Sequence, residues 1–266
     1  MRLTGTLTET QNKKGTTYPL IFQTFLSLLD LSFQWRVAIA PFIPLNYPGT
    51  PFLATHLDMG SKEATLAYID KLAATYKKMK QPNFIISGEN ADIVGDTYYL
   101  EDTERIHSFG NNAVAAANLL KNLPTLRTPT VELHTSNHIT QATNVSGYLT
   151  WGANGGLGAR YPVDGKVKFF GKSSWYLINT VESFNGRRVV EQGNFVRWFS
   201  QNAFGGTHYQ NTPVGAVTNV EEPYLHGVSS EHFFMMWELG FLFIESAWTA
   251  RRTPYFMAVG DPLIKK

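Results

Sequence analysis

Short apolar runs that alternate with amphipathic helical segments constrain the fold of this protein more than any other feature. The runs typical of buried strands are NFIIS (83–87), TVELHT (130–135), GYLTWG (147–152) and PVGAVTNVEEP (213–223). Apolar residues recur at helical spacing over residues 61–81 and 103–121. Strands that are joined through helices run parallel, and helices then cover both faces of the sheet. We therefore predict an α/β fold, with a mostly parallel sheet between two layers of helices.

Other segments predict further elements, with less pronounced patterns. The helix that we predict over 173–186 rests on Leu177, Ile178, Val181 and Phe184, whose spacing places them on one helix face. The remaining predicted elements are a strand over 51–58, a short strand or hairpin arm over 166–170, a short helix after Asn194, one long helix from Ser229 or Ser230 to about Arg251, and a last short strand with a turn in the tail 255–266.

At 266 residues, the protein is long enough for one large domain. Residues 1–36 lack a clear pattern and are predicted to form an N-terminal extension, with a single α/β domain over 37–266.

Two apolar runs could indicate a signal segment or a membrane span. The run 18–29 follows two lysines as a signal segment would, but an aspartate follows it and no cleavage site is evident. The run 232–248 is interrupted by two glutamates and a glycine, so we expect a buried helix and no transmembrane span.

Composition excludes several classes of function. The formal net charge is +2, from 23 basic and 21 acidic side chains, which gives no basic surface for nucleic acid. The sequence contains no cysteine, so disulfides, thiolate metal sites and a cysteine nucleophile are all excluded.

The glycine-rich stretch GYLTWGANGGLG (147–158) raises the question of phosphate binding. Its glycines do not fit G-x-G-x-x-G, and Arg160, Tyr161 and Pro162 follow where a helix should begin. The sequence also lacks the P-loop pattern and the G-x-S-x-G of a nucleophile elbow. We predict that this stretch is a tight turn at the edge of the sheet, and we expect no cofactor.

Two further patterns bear on metal and acid–base chemistry. His134 and His138 lie four residues apart, but they follow a strand, where that spacing does not bring the two rings together. We predict no metal site from them. Glu221 and Glu222 are neighbours whose side chains point to opposite faces of an extended backbone, so they cannot act on each other.

Ligand sites in open α/β sheets lie beyond the carboxyl ends of the strands, and polar residues follow several of the predicted strands. We take these as the lining of a candidate pocket, with aromatic side chains beside them. The candidates are His56, Asp58, His134, Asn154, Asn219, Glu221 and Glu222, with Trp151 and Tyr224 as aromatic neighbours.

Most of the sequence from about residue 36 onward resembles a sparsely characterised family of bacterial proteins that are often predicted to be exported. The resemblance rests on five stretches, which are 55–72, 147–156, 192–207, 212–223 and 247–264. More remotely, the layout is similar to the caspase and gingipain clan of cysteine peptidases. The resemblance implies a caspase-like three-layer sandwich and a secreted or cell-envelope location.

In that clan, one strand ends at a loop that carries the catalytic histidine, and the next core strand ends at the catalytic cysteine. The resemblance places Asn154 nearest the histidine and residues 218–222 in the region of the nucleophile. Both catalytic groups are missing, because asparagine is not a base near neutral pH and the sequence has no thiol. We therefore expect a binding or interaction protein, a pseudo-peptidase whose partner is a peptide or a glycan.

Two alternatives remain open from the sequence. One is a hydrolase that uses His134 or His56 with an acidic residue, assisted by a metal. The other is a structural envelope protein that binds no ligand.

Overall fold

The computed structural model describes residues 53–78, 93–102, 113–123, 128–135, 138–152, 166–188, 193, 195–223 and 227–266, together with the backbone of two short strands near the start of the sequence. The protein divides into two compact units, Met1–Ala54 and Thr55–Lys266. In the first unit, β1 (Gly5–Leu7) pairs antiparallel with β2 (Tyr18–Leu20).

The second unit is built on a six-stranded sheet. Its strands are β3 (Thr97–Glu101), β4 (Thr130–His134), β6 (Val145–Thr150), β8 (Leu177–Thr180), β9 (Gly215–Asn219) and β10 (Phe256–Gly260). They lie in the order β10-β9-β8-β6-β3-β4, and every pair is parallel except the antiparallel pair β9–β10. The predicted α/β fold with a mostly parallel sheet is confirmed.

Five α-helices accompany this sheet within the described residues. They are α1 (Lys62–Lys78), α2 (Ala113–Lys121), α3 (Phe195–Trp198), α4 (Ser230–Glu238) and α5 (Phe243–Ala250). The helix expected over 61–81 is present as α1, whereas the first part of the helix expected over 103–121 and the strand expected over 83–87 lie outside the described residues. Of the strand expected over 51–58, the described residues 53–58 form only a single bridge, between His56 and Val259, and 51–52 lie outside the described residues.

The prediction of a helix over 173–186 was wrong, because residues 177–180 form the central strand β8. All four residues of β8 are buried, since neighbouring strands flank it and the sheet is covered on both faces. A short apolar run of this kind fits helical spacing as well as it fits a strand buried on both sides.

The prediction of one continuous helix up to about Arg251 was also wrong. Gly240, with a φ of +81°, follows α4 in a left-handed conformation that ends the helix. A second helix, α5, then begins where the Glu245 carboxylate accepts a hydrogen bond from the Leu242 backbone N–H at 2.8 Å.

Different elements cover the two faces of the sheet. On one face, Phe234 of α4 packs against Tyr98, and Phe243 of α5 lies over Gly215. On the other face, Tyr148 meets Phe169 of a small parallel sheet formed by β5 (Gln141–Thr143) and β7 (Lys168–Phe170). No helix in the described part of the protein is both long enough and apolar enough to cross a membrane.

The segment that follows β10 ties several elements together. The carbonyl oxygens of Ile264 and Pro262 accept hydrogen bonds from the first backbone N–H groups of α5. The Lys265 carbonyl accepts a hydrogen bond from Trp175 Nε1 at 2.9 Å, and Lys266 Nζ pairs with the Glu238 carboxylate of α4. The Asp261 backbone N–H donates to the Tyr68 hydroxyl of α1 at 2.8 Å.

Candidate functional site

Four neighbouring parallel strands end in polar residues, and these residues form one hydrogen-bonded cluster at the carboxyl edge of the sheet. We call this cluster the strand-end rim and define it as Glu101 at the end of β3, residues 150–152 at the end of β6, residues 180–185 at the end of β8 and residues 219–222 at the end of β9. This is the edge at which sites in open α/β sheets collect.

Glu101 is fully buried, and hydrogen-bond donors surround its carboxylate. Oε2 accepts from the Thr150 hydroxyl at 2.7 Å, and Oε1 accepts from the Ile139 backbone N–H at 3.0 Å and from the Tyr148 hydroxyl at 3.3 Å. His138 Nδ1 lies 3.4 Å from Oε2. A buried carboxylate with this many donors is stabilised in place, so Glu101 joins the ends of β3 and β6.

Glu182 is the second buried carboxylate of the rim, with 2% of its surface exposed. It accepts from the Thr180 hydroxyl at 2.6 Å and from the Gly193 backbone N–H at 3.0 Å. Gly152 lies directly against it, since a Cβ at that position would be 2.1 Å from the Glu182 Cδ. The absence of a side chain at Gly152, directly after β6, therefore makes room for this carboxylate.

Asn185 and Asn219 connect the ends of β8 and β9. Asn185 Nδ2 donates to the Thr180 hydroxyl at 2.9 Å, and Asn185 Oδ1 accepts from the Asn219 backbone N–H at 2.7 Å. Asn219 Nδ2 donates to the Glu182 carbonyl at 3.2 Å. Since the nitrogen of this side-chain amide is used in that bond, Oδ1 is the polar atom that is left to accept a hydrogen bond. The rim is thus continuous from β6 to β9.

Two polar atoms of the rim are buried without a hydrogen-bond partner in the described part of the protein, namely Trp151 Nε1 and Asn219 Oδ1. One is a donor and the other an acceptor. The Trp151 ring is held edge-on to the His138 ring, with 4.4 Å between the centroids. Since an unpaired buried polar atom costs about 1–3 kcal/mol, this pair calls for an explanation.

A further pair joins the ends of β8 and β9 on the outer side of the rim. The Ser183 hydroxyl donates to Glu222 Oε2 at 2.6 Å. Ser183 is 8% exposed and precedes Phe184, whose φ of 59° places a non-glycine residue in the left-handed region. Such backbone strain persists only where the surroundings enforce it.

The structure separates two of the residues for which we expected convergence. His134 ends β4 at the far edge of the sheet, where its Nε2 lies 3.6 Å from Glu132 Oε2. Glu221 follows β9, is half exposed, and pairs with Arg187. Four strand spacings, or about 19 Å, lie between β4 and β9, so these two residues do not share a site.

His56 and Asp58 form a group of their own. His56 bridges to β10, and its Nε2 lies 3.5 Å from Asp58 Oδ2, which also pairs with Arg188. Burial, with a contribution from Arg188, lowers the pKa of His56 below its usual value. Within the described ranges, no three histidine or acidic side chains lie together as metal ligands would.

Of the other candidates, Asn219, Glu222 and Trp151 lie on the strand-end rim. Asn154 and Tyr224 lie outside the described residues.

Sequence reasoning missed Glu101, Thr180, Glu182 and Ser183. The last three were hidden in the segment that we predicted as a helix. Glu101 ends the run TYYLE, and a carboxylate that closes a run of buried residues is a signal that could have pointed to it.

The order of the strands shows which strand end lies next to that of β6. The resemblance placed residues 218–222 in the nucleophile's region, as the end of the next core strand. In the sheet, β8 lies between β6 and β9, so the strand end beside the Trp151 turn is that of Thr180.

The geometry defines an α/β protein with a polar rim at the carboxyl edge of its sheet. Comparison with known proteins adds no closer assignment, since no family model, no curated protein and no solved structure matches the sequence.

Proposed function

We propose that this is a binding protein on a caspase-like scaffold without the cysteine–histidine pair, a pseudo-peptidase whose ligand lies along the strand-end rim. The observation that carries the proposal is the pair of buried, unpartnered atoms in the described residues, Trp151 Nε1 and Asn219 Oδ1. A ligand that accepts a hydrogen bond from the first atom and donates one to the second would remove the free-energy cost of leaving these two atoms unpaired.

The spacing of the two strand ends that carry these side chains favours a short extended peptide. The ends of β6 and β9 are two strand spacings apart, or about 10 Å, and an extended peptide covers about 3.3 Å per residue. A segment of about three residues therefore spans the distance and offers a backbone carbonyl at one end and a backbone N–H at the other.

The neighbouring carboxylates support a role in positioning. Glu101 and Glu182 are occupied by donors from the protein itself, and both are almost completely buried. They hold the ends of β3, β6 and β8 in a fixed arrangement, and preorganisation of this kind lowers the cost of binding.

Binding is best tested with Trp151→Phe, because this change removes the indole N–H and keeps an aromatic ring beside His138. Ligands from a library of short peptides and a panel of oligosaccharides would first be found by thermal shift, and their affinities measured by calorimetry. We expect Trp151→Phe to weaken peptide binding about 2- to 10-fold, which corresponds to the free energy that one hydrogen bond contributes.

Trp237→Phe is the matched control. Trp237 Nε1 is also buried without a partner in the described residues, but it lies on α4 in the core. We expect this control to lower stability and leave affinity unchanged. If no peptide or oligosaccharide stabilises the protein, the proposal is wrong; if only oligosaccharides do, the site stands and its ligand is a glycan.

A further inference from the structure

The strand-end rim holds a hydroxyl beside a base, and this arrangement goes beyond binding. We propose that Ser183 is a nucleophile, that Glu222 is its general base, and that the pair transfers acyl groups from reactive esters. The two residues follow adjacent strands, β8 and β9, and their side chains are joined by a hydrogen bond of 2.6 Å.

The length of this bond is that of a hydroxyl that donates to an ionised carboxylate. The proton of Ser183 already points at the group that would remove it, which is the geometry required of a nucleophile and its base. The strained Phe184 and its neighbour Asn185, which bonds Asn219, fix the turn that carries Ser183.

Access distinguishes Ser183 from two other hydroxyl groups that face a base. The Thr180 hydroxyl donates to Glu182, but Glu182 is only 2% exposed. Ser229 Oγ lies 2.5 Å from His232 Nδ1, but Ser229 is only 1% exposed and its oxygen also accepts from Arg252. Ser183 is more exposed than Ser229, and Glu222 is half-buried.

The reaction balances with water as the co-reactant. The Ser183 Oγ–C bond forms as the C–O bond of the ester breaks; the proton passes to Glu222 and then to the departing oxygen, which leaves with the electron pair. Water then attacks the acyl carbon and gives its proton through Glu222 to Ser183 Oγ as the Oγ–C bond breaks. The substrate class is an ester with a good leaving group, since a carboxylate is a weak base for serine.

The experiment uses the intact protein with two probes, p-nitrophenyl acetate for turnover and a fluorophosphonate for covalent labelling. Peptide mapping of the wild-type protein should place the label on Ser183. Ser183→Ala should reduce nitrophenol release to the level of the uncatalysed reaction, and Glu222→Gln should reduce it at least about 100-fold, the usual contribution of a general base.

Ser229→Ala is the control, because it removes the other serine that faces a base. It should leave labelling and turnover unchanged. A label on Ser229, no label on any serine, or full turnover by Ser183→Ala would each overturn the proposal. The mapping needs no variant, so poor folding of a mutant does not prevent the test. Peptide binding without labelling would leave the proposed binding function intact and reject only this inference.

Discussion

The contact between Gly152 and Glu182 gives the sharpest test of how the rim is built. Alanine at position 152 would have to keep a φ of +58°, which costs about 1–2 kcal/mol. Its Cβ would lie 2.1 Å from the Glu182 Cδ, so the carboxylate must move by more than about 1 Å to reach ordinary contact.

That movement breaks the hydrogen bonds from Thr180, at 2.6 Å, and from Gly193, at 3.0 Å. A hydrogen bond to a charged group contributes about 1.5–3 kcal/mol, so Gly152→Ala should lower the free energy of unfolding by about 4–8 kcal/mol in total. Since domains are stable by about 5–15 kcal/mol, the variant should be close to unfolding.

Gly240→Ala is the matched control. Gly240 has a φ of +81°, and a Cβ there would meet nothing within 4 Å. It should therefore cost only the backbone component, about 1–2 kcal/mol. Urea unfolding followed by tryptophan fluorescence measures both variants.

A double-mutant cycle identifies the carboxylate as the cause. In a Glu182→Ala background the obstruction is gone, and Gly152→Ala should then cost about as little as Gly240→Ala. If Gly152→Ala is no more destabilising than Gly240→Ala in the wild-type background, the role that we assign to Gly152 is wrong.

Three further predictions concern polar groups that are partly or fully buried. Burial lowers the pKa of Lys71 to about 7, so the unfolded protein binds more protons than the folded one between about pH 7 and 10, and stability should rise with pH there by up to about 1.4 kcal/mol per unit. Lys71→Met should remove that slope in urea titrations. Burial, opposed by the Glu231 carboxylate and reinforced by Arg252, lowers the pKa of His232, so its ring should titrate below pH 6.5 by NMR and the protein should lose stability as the pH falls below that value. Thr150→Val removes a donor to the buried Glu101 carboxylate and should cost about 1.5–3 kcal/mol in urea unfolding, whereas an unchanged midpoint would mean that the carboxylate does not depend on this bond.

The sequence alone was sufficient to predict the elements whose residue pattern fits only one type of secondary structure. TVELHT, GYLTWG and PVGAVTNVEEP became β4, β6 and β9 because each is an apolar run bounded by turn or polar residues. The segment around Leu177 was misassigned because burial on both faces removes the alternation that marks a strand.

The site was harder to predict than the fold. Local patterns do not specify the order of strands in a sheet, and that order keeps His134 away from Glu221 and brings Ser183 to Glu222. Glu182 could not be recognised while its segment was taken for a helix. Trp151, Asn219 and Glu222 lie at the carboxyl edge, as expected, because the carboxyl-edge rule applies wherever a strand is assigned correctly.

The segment after β10 has a consequence for synthesis of the protein. Residues 261–266 supply bonds to α1, α4, α5 and the start of β8, elements that lie far apart in the sequence. A ribosome-bound polypeptide therefore cannot complete this unit until Lys266 has left the exit tunnel. Until then the amino terminus of α5 and the indole of Trp175 lack these partners, and the nascent polypeptide is open to chaperones and proteases.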